Sequence, residues 1–216
     1  MGRTGNYGAG GRTFNRCGLA ALSDLSTDEW KRIFARLETV QNEFLAKESE
    51  FRSPEYQWPR DALHNWSRVW EYAYAYYFLN EWKPELGAAP TIADLGSGVT
   101  FFPFALSKLG YTVICTDTDP VCEKDLPRAA RALGSDSSKV SFRLTNGDTL
   151  PFRDSEVDAI YCVSVLEHIP KFENTVIEMA RVLKSGGRLI LTIDLDLNGK
   201  HEIGKERYLD LRSALD

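Results

Sequence analysis

Ile92-Ala93-Asp94-Leu95-Gly96-Ser97-Gly98-Val99-Thr100 decides the fold: an apolar run of strand character ends in a glycine turn, and a helical segment follows. Gly96 and Gly98 allow a tight turn and let the backbone approach a ligand closely, and the opening amides of the following helix suit a negative group. A dinucleotide fingerprint, G-x-G-x-x-G, needs glycine at position 101, where Phe101 stands. A pyrophosphate cradle is disfavoured. An NAD-dependent reductase loses support with it, since the chain also lacks a Tyr-x-x-x-Lys pair.

Downstream of that turn, short apolar runs alternate with helical segments, the pattern of a parallel α/β sheet. Strands are expected at Thr91 to Asp94, Thr112 to Thr116, Val140 to Leu144, Val157 to Val163 and Arg188 to Ile193. Helices are expected near Pro103 to Leu109, Pro120 to Leu133 and Glu173 to Leu183. The second strand ends in Asp117, 21 residues after Gly96. A carboxylate there can accept both hydroxyls of a ribose. Asp119-Pro120 already supplies the next helix cap, which leaves Asp117 to a ligand. After the third strand, Asn146-Gly147-Asp148-Thr149-Leu150-Pro151-Phe152 brings a second carboxylate to the same edge. Asp148 can accept from an adenine amino group with Leu150 or Phe152 at the ring face; it also fits an ordinary Asn-Gly-Asp turn.

Upstream, residues 1–22 are Gly-rich and without periodicity, and read as a flexible arm. Residues 23–88 read as a helical cap. Ser26-Thr27-Asp28-Glu29 is a capping box with Ser26 as the cap, and Trp30, Ile33, Phe34, Leu37, Phe44 and Leu45 recur at helical spacing. Pro54 and Pro59 interrupt, and a second helix is expected from Asp61 to about Trp82, dense in aromatics. Residues 89–216 form the ligand-binding core.

With 26 Lys and Arg against 31 Asp and Glu, the net charge of −5 argues against a nucleic-acid partner or an anionic membrane face. No apolar stretch has the roughly 18 residues of a spanning helix, and the first residues lack an apolar signal core, so a cytoplasmic protein is expected. Cys17, Cys115, Cys122 and Cys162 have no metal-ligand spacing, so free thiols and no metal are expected.

Together with Val165-Leu166-Glu167-His168 after the fourth strand and Arg181-Val182-Leu183-Lys184-Ser185-Gly186-Gly187 before the fifth, these motifs resemble the class I S-adenosylmethionine-dependent methyltransferases, small-molecule branch. The resemblance covers about residues 91 to 194. It implies a Rossmann-like doubly wound sheet under an N-terminal helical lid. It further implies that Asp94 and the Gly96, Ser97, Gly98 loop meet the methionine part of S-adenosylmethionine, Asp117 the ribose, and Asp148 with Thr149 the adenine. Thr118 and Ser164 complete this cofactor set, and S-adenosylhomocysteine is the released product.

Thr100 replaces a third glycine common in the family, which alters the turn. A complete sheet in the family has seven strands, whereas 22 residues follow position 194, so the last strands are expected to be missing. A second copy of the chain, or a C-terminal remainder, is then the expected cover for the open edge.

Methyl transfer mainly needs positioning and exclusion of water, and His168 is the candidate base for an acceptor O–H or N–H. Ser164 stands where a metal-binding E-x-x-E-H element would need its first Glu, so Glu167 and His168 are not read as metal ligands. Glu167 is instead a candidate acceptor contact. In Trp66-Ser67-Arg68-Val69-Trp70-Glu71-Tyr72, Arg68 could meet a carboxylate and Trp66 or Tyr72 a ring or sugar; aromatics all round a helix also fit core packing. The implied activity is methyl transfer to oxygen or nitrogen of a small metabolite such as a sugar, glycan precursor or secondary metabolite. The alternative is a non-catalytic or incomplete cofactor-binding module.

Overall fold

A computed structural model describes residues 14, 17–82, 89–136, 138–196, 198 and 203–215. Five parallel strands form one sheet: β1 (Thr91–Leu95), β2 (Thr112–Asp117), β3 (Val140–Leu144), β4 (Val157–Val163) and β5 (Leu183–Thr192), in the order β3-β2-β1-β4-β5. The order reverses direction between β1 and β4, the switch point where an α/β sheet opens a crevice at its C-terminal edge.

Strand alternation sends Ile92, Val113, Cys115, Ala159 and Tyr161 into one core, beneath helices α1 (Asp28–Ala46), α2 (Glu48–Phe51), α3 (Arg68–Glu81), α4 (Phe102–Ser107) and α5 (Pro120–Ala132). Ala93, Leu95, Ile114, Ile160 and Cys162 face a second core with α6 (Phe172–Val182) and α7 (Lys205–Leu215). Helices thus cover both faces, as buried parallel strands require. No helix among the described residues is long and apolar enough to cross a membrane. Cys115, Cys122 and Cys162 are buried free thiols.

Several sequence expectations shift. Thr27, not Ser26, caps α1: its Oγ1 accepts from the Trp30 amide at 3.2 Å, while Ser26 Oγ donates back to the Ser23 carbonyl in a 3-10 turn. The second helix starts at Arg68 rather than Asp61. The Asp61 carboxylate captures the His64 amide at 3.1 Å, and Trp66 takes a left-handed φ of 50°, so 61–67 turns instead of coiling. β5 begins at Leu183 rather than Arg188: its pairing shifts between Val157↔Leu183 and Ala159↔Arg188, a bulge carrying the glycine pair. At Gly187 a Cβ would stand 2.8 Å from the Lys184 carbonyl oxygen, so the bulge admits no side chain there. Most of the expected arm lies outside the described residues; within it, Phe14 is fully buried against Trp70, Tyr74 and Tyr77.

Candidate functional site

A cavity of about 640 Å³ opens at the switch point, over the ends of β1, β2 and β4. Its floor is the glycine turn. Gly96 and Gly98 take φ of 68° and 52°, which side chains resist, and a Cβ on Gly96 would lie 2.5 Å from a Val165 methyl. The Ser97 amide donates to the Thr116 carbonyl at 3.0 Å, tying the turn to β2. Asp117 closes the tie: its Oδ2 accepts from the Gly98 amide at 2.8 Å and its Oδ1 from the Asp119 amide at 3.0 Å. Asp119 Oδ1 in turn caps α5 through the Val121 amide at 2.9 Å. The carboxylate is thereby fixed at the cavity wall by two backbone donors.

The fourth strand delivers Ser164 in a left-handed conformation, φ 48°. Its Oγ donates to Glu71 Oε1 at 2.7 Å and accepts from Arg68 Nη1, which also bonds Glu71 Oε2 and stands 3.7 Å from Asp194. Burial opposes the charge on Arg68, and the neighbouring Glu71 and Asp194 outweigh it, holding its pKa above the ordinary value. This group joins the start of α3 to the end of β4.

Between those anchors and the glycine turn runs a strap, residues 52–67. Arg52 lies over the rings of Phe44, Phe51 and Tyr56, at 4.1 Å from the last, and its Nη1 donates to the Val99 carbonyl at 2.9 Å. The Val99 amide donates to Tyr56 Oη at 3.0 Å. Burial pushes the Tyr56 hydroxyl up to about 12, so it stays protonated while it accepts from the Val99 amide. Ser53 fastens the same segment to α5, donating from its amide and hydroxyl to the buried Asp125.

Of the residues singled out in the sequence, the cavity brings together Gly96, Ser97, Gly98, Asp117, Thr118, Ser164, Arg68, Tyr72 and His168. It does not gather the other five. Asp94 lies beneath the turn, 4% exposed, where Tyr161 Oη donates to it at 2.6 Å. Burial, against that hydrogen bond and with the Asp117 charge, raises its pKa to about 8. Asp148 and Thr149 are exposed, with both amides held by Asn146 Oδ1 at 3.1 Å, the ordinary turn geometry. Gly147, Thr145 and Leu150 of that segment line the cavity instead. Trp66 points outward, 81% exposed. Glu167 is buried behind the wall: its Oε1 accepts from the Asp194 amide at 2.8 Å, and its Oε2 has no hydrogen-bond partner among the described residues. Burial, opposed by that amide and aided by the Asp194 and Glu71 charges, raises its pKa to about 7.

Sequence reasoning missed the strap. Tyr56, Trp58, Pro59, Ala62 and Asn65 all line the cavity. The available signal was two aromatics held between Pro54 and Pro59, an extended segment with large side chains and no helical period.

The turn suits a nucleoside. Its two glycines leave the backbone bare, and a Cβ on Gly98 would come within 3.0 Å of Tyr56 Oη. Among the described residues, no three His, Cys, Asp or Glu side chains converge as a metal site would need.

Comparison with known proteins agrees with this architecture. A methyltransferase-domain family matches residues 93–191. An uncharacterised methyltransferase of Mycobacterium leprae is 35% identical over 133 residues, 59% of this chain and 48% of the relative. One from Mycobacterium tuberculosis is 35% identical over 129 residues, with 59% and 48% covered. The chain spans about half the length of the curated relatives it matches. Among solved structures, the cyclase SpnF superposes with a TM-score of 0.57 at 21% identity, covering 87% of this chain and 72% of its own. The YcgJ protein of Bacillus subtilis gives 0.50 at 24%, covering 61% and 63%. Both share the fold. From β1 into β5, residues 93–191 therefore match a methyltransferase domain, set on a five-stranded parallel sheet whose fold the solved structures share.

Proposed function

We propose that the chain moves a methyl group from S-adenosylmethionine to an oxygen or nitrogen atom of a small molecule. The observation that carries this reading is the Asp117 carboxylate, held by the Gly98 and Asp119 amides at the cavity wall beside a bare glycine turn. Asp117 accepts the ribose hydroxyls, and Gly96, Ser97 and Gly98 pass beneath the methionine part. Thr145, Gly147 and Leu150 flank the adenine, with Asp148 and Thr149 shaping that loop from outside. Arg68 and Ser164 border the methionine part. Thr118 borders the ribose. Asp94 acts through the turn it supports.

When bound, S-adenosylmethionine supplies a methyl carbon already activated by its sulfonium, so the protein's task is alignment and exclusion of water. The strap does both, since Tyr56 and Arg68 fix its ends while Trp58, Pro59 and Ala62 cover the cavity between them. His168, on the same cavity wall, takes the proton that an acceptor O–H or N–H loses as its bond to carbon forms.

A fold does not fix a reaction, and the likeness to a cyclase gives a second reading: cofactor binding in the service of other chemistry, or with no turnover. Calorimetry with S-adenosylhomocysteine, with NAD as comparison, tests the site. Micromolar binding of the former alone is expected. Release of S-adenosylhomocysteine with acceptor pools and labelled S-adenosylmethionine tests the reaction; binding without transfer to any acceptor favours the second reading.

A further inference from the structure

We infer that the acceptor is a neutral, flat ring compound with one protic group, and that Trp58 is the residue that selects it. This rests on the methyl-transfer reading and deepens it. The strap is pinned at Val99 by Tyr56 and at Ser164 by Arg68, so the residues between span the cavity from the β1 turn to the end of β4. On that span Trp58, Pro59, Ala62 and Asn65 line the cavity, together with Ile169 and Pro170 from the segment after β4. Apart from the Asn65 amide and the indole N–H of Trp58, these side chains are apolar.

Charge points the same way. Among the described residues, the charged side chains lining the cavity are Arg68 and Asp117, and the His168 imidazole lines it too. Asp117 belongs to the ribose. Arg68 is already paired with Glu71 and stands 3.7 Å from Asp194. Among the described residues lining the cavity, a phosphate or carboxylate on the acceptor would find no uncompensated cation, and burying such a charge unpaired is costly. A polyhydroxylated acceptor fares little better against Pro59, Ala62, Ile169 and Pro170, which offer no side-chain partners.

Trp58 supplies the positive argument. Its indole is 57% exposed although it lines the cavity, so its uncovered face is apolar area that a ring ligand would remove from water. Trp66 is more exposed still but lies off the cavity, and it plays no part. The reaction balances without another reagent. The acceptor heteroatom bonds the methyl carbon as the carbon–sulfur bond breaks, and the acceptor proton passes to His168 and then to solvent.

The test uses protein saturated with S-adenosylhomocysteine, so that a probe is kept out of the cofactor's share of the cavity. Calorimetry compares 2-naphthol with 6-hydroxy-2-naphthoic acid. The neutral probe is expected to bind, and its carboxylate analogue about tenfold more weakly or worse. Trp58→Ala should weaken 2-naphthol by about tenfold, with Trp58→Phe restoring most of it, each variant being held saturated with S-adenosylhomocysteine. Absent 2-naphthol binding, equal or tighter binding of the carboxylate, or indifference to Trp58→Ala overturns the acceptor class and leaves the methyl-transfer reading standing. Failure of S-adenosylhomocysteine to bind the wild-type chain overturns both.

Discussion

The two walls of the cavity are made by opposite means. The sheet wall is backbone work: two glycines in left-handed conformations, amides of Ser97, Gly98 and Asp119, and a single carboxylate to receive two of them. The strap wall is side-chain work, with Arg52 and Tyr56 reaching 47 and 43 residues along the chain to one residue, Val99. A backbone wall needs residue types that permit it, so it writes itself into spacing. A side-chain wall needs only partners at the right distance in space, and spacing does not record that.

The largest effect comes from adding an atom to the backbone wall. Gly96→Ala places a Cβ 2.5 Å from Val165 in a left-handed turn. Overpacking and backbone strain together should cost about 4 kcal/mol, read as a fall in denaturation midpoint and loss of S-adenosylhomocysteine binding. On the strap wall, Arg52→Ala removes a 3%-exposed side chain from three rings, from Glu48 and from the Val99 carbonyl. The expected cost is about 3 kcal/mol in chemical denaturation. Arg52→Lys should not rescue it, because an ammonium cannot lie flat between rings while holding a carbonyl.

Asp117→Ala tests the single side chain on which the backbone wall depends. Affinity for S-adenosylhomocysteine should fall by about 1.5–3 kcal/mol, the range for hydrogen bonds to a charged group. Wild-type affinity in calorimetry would remove Asp117 from the site. A subtler contrast is a slope. Asp94 and Glu167 have folded pKa values raised to about 8 and about 7, against 3.8 and 4.5 for the ordinary groups. Between about pH 4 and pH 8 the folded state holds protons that the unfolded state has released, so stability from these groups is greatest at the acid end and falls as pH rises. Asp94→Asn should flatten that fall in denaturation curves taken from pH 5 to 8; an unchanged slope would place the titration elsewhere. At the bottom of the scale, Trp66→Ala should shift stability and cofactor affinity by no more than about 0.5 kcal/mol, since the indole is solvent-exposed and off the cavity.

The strand–turn–helix at 91–107 and the place of Asp117 at the end of β2 were legible because a bare turn demands glycine and because Asp119 supplies the next helix cap, which leaves Asp117 to the turn. Other features were read one step off. Ser26 and Thr27 are equally good caps by type, and only the 3-10 turn before them assigns the role to Thr27. Residues 61–67 carry enough apolar side chains to look helical, yet the Asp61 carboxylate and the left-handed Trp66 turn the chain. That turn also exchanges the aromatics: Trp66, conspicuous in the sequence, faces solvent, while Trp58, passed over between two prolines, faces the cavity. Asp94 illustrates a further limit. Alternation along β1 directs its side chain to the Tyr161 side of the sheet, and no motif states which face a ligand takes.

Val99 has a consequence for where this domain can be cut. Its amide and carbonyl are both answered from the strap, so the opening of α4 depends on residues more than forty positions upstream. The stretch shared with the methyltransferase-domain family starts at residue 93. A fragment trimmed to that boundary would keep all five strand signatures but β1's first two residues, and would leave the Val99 peptide groups to water and Phe101 and Phe102 without the helices that bury them. The smallest piece of this chain that keeps Val99 answered is set by hydrogen bonds and begins no later than Arg52.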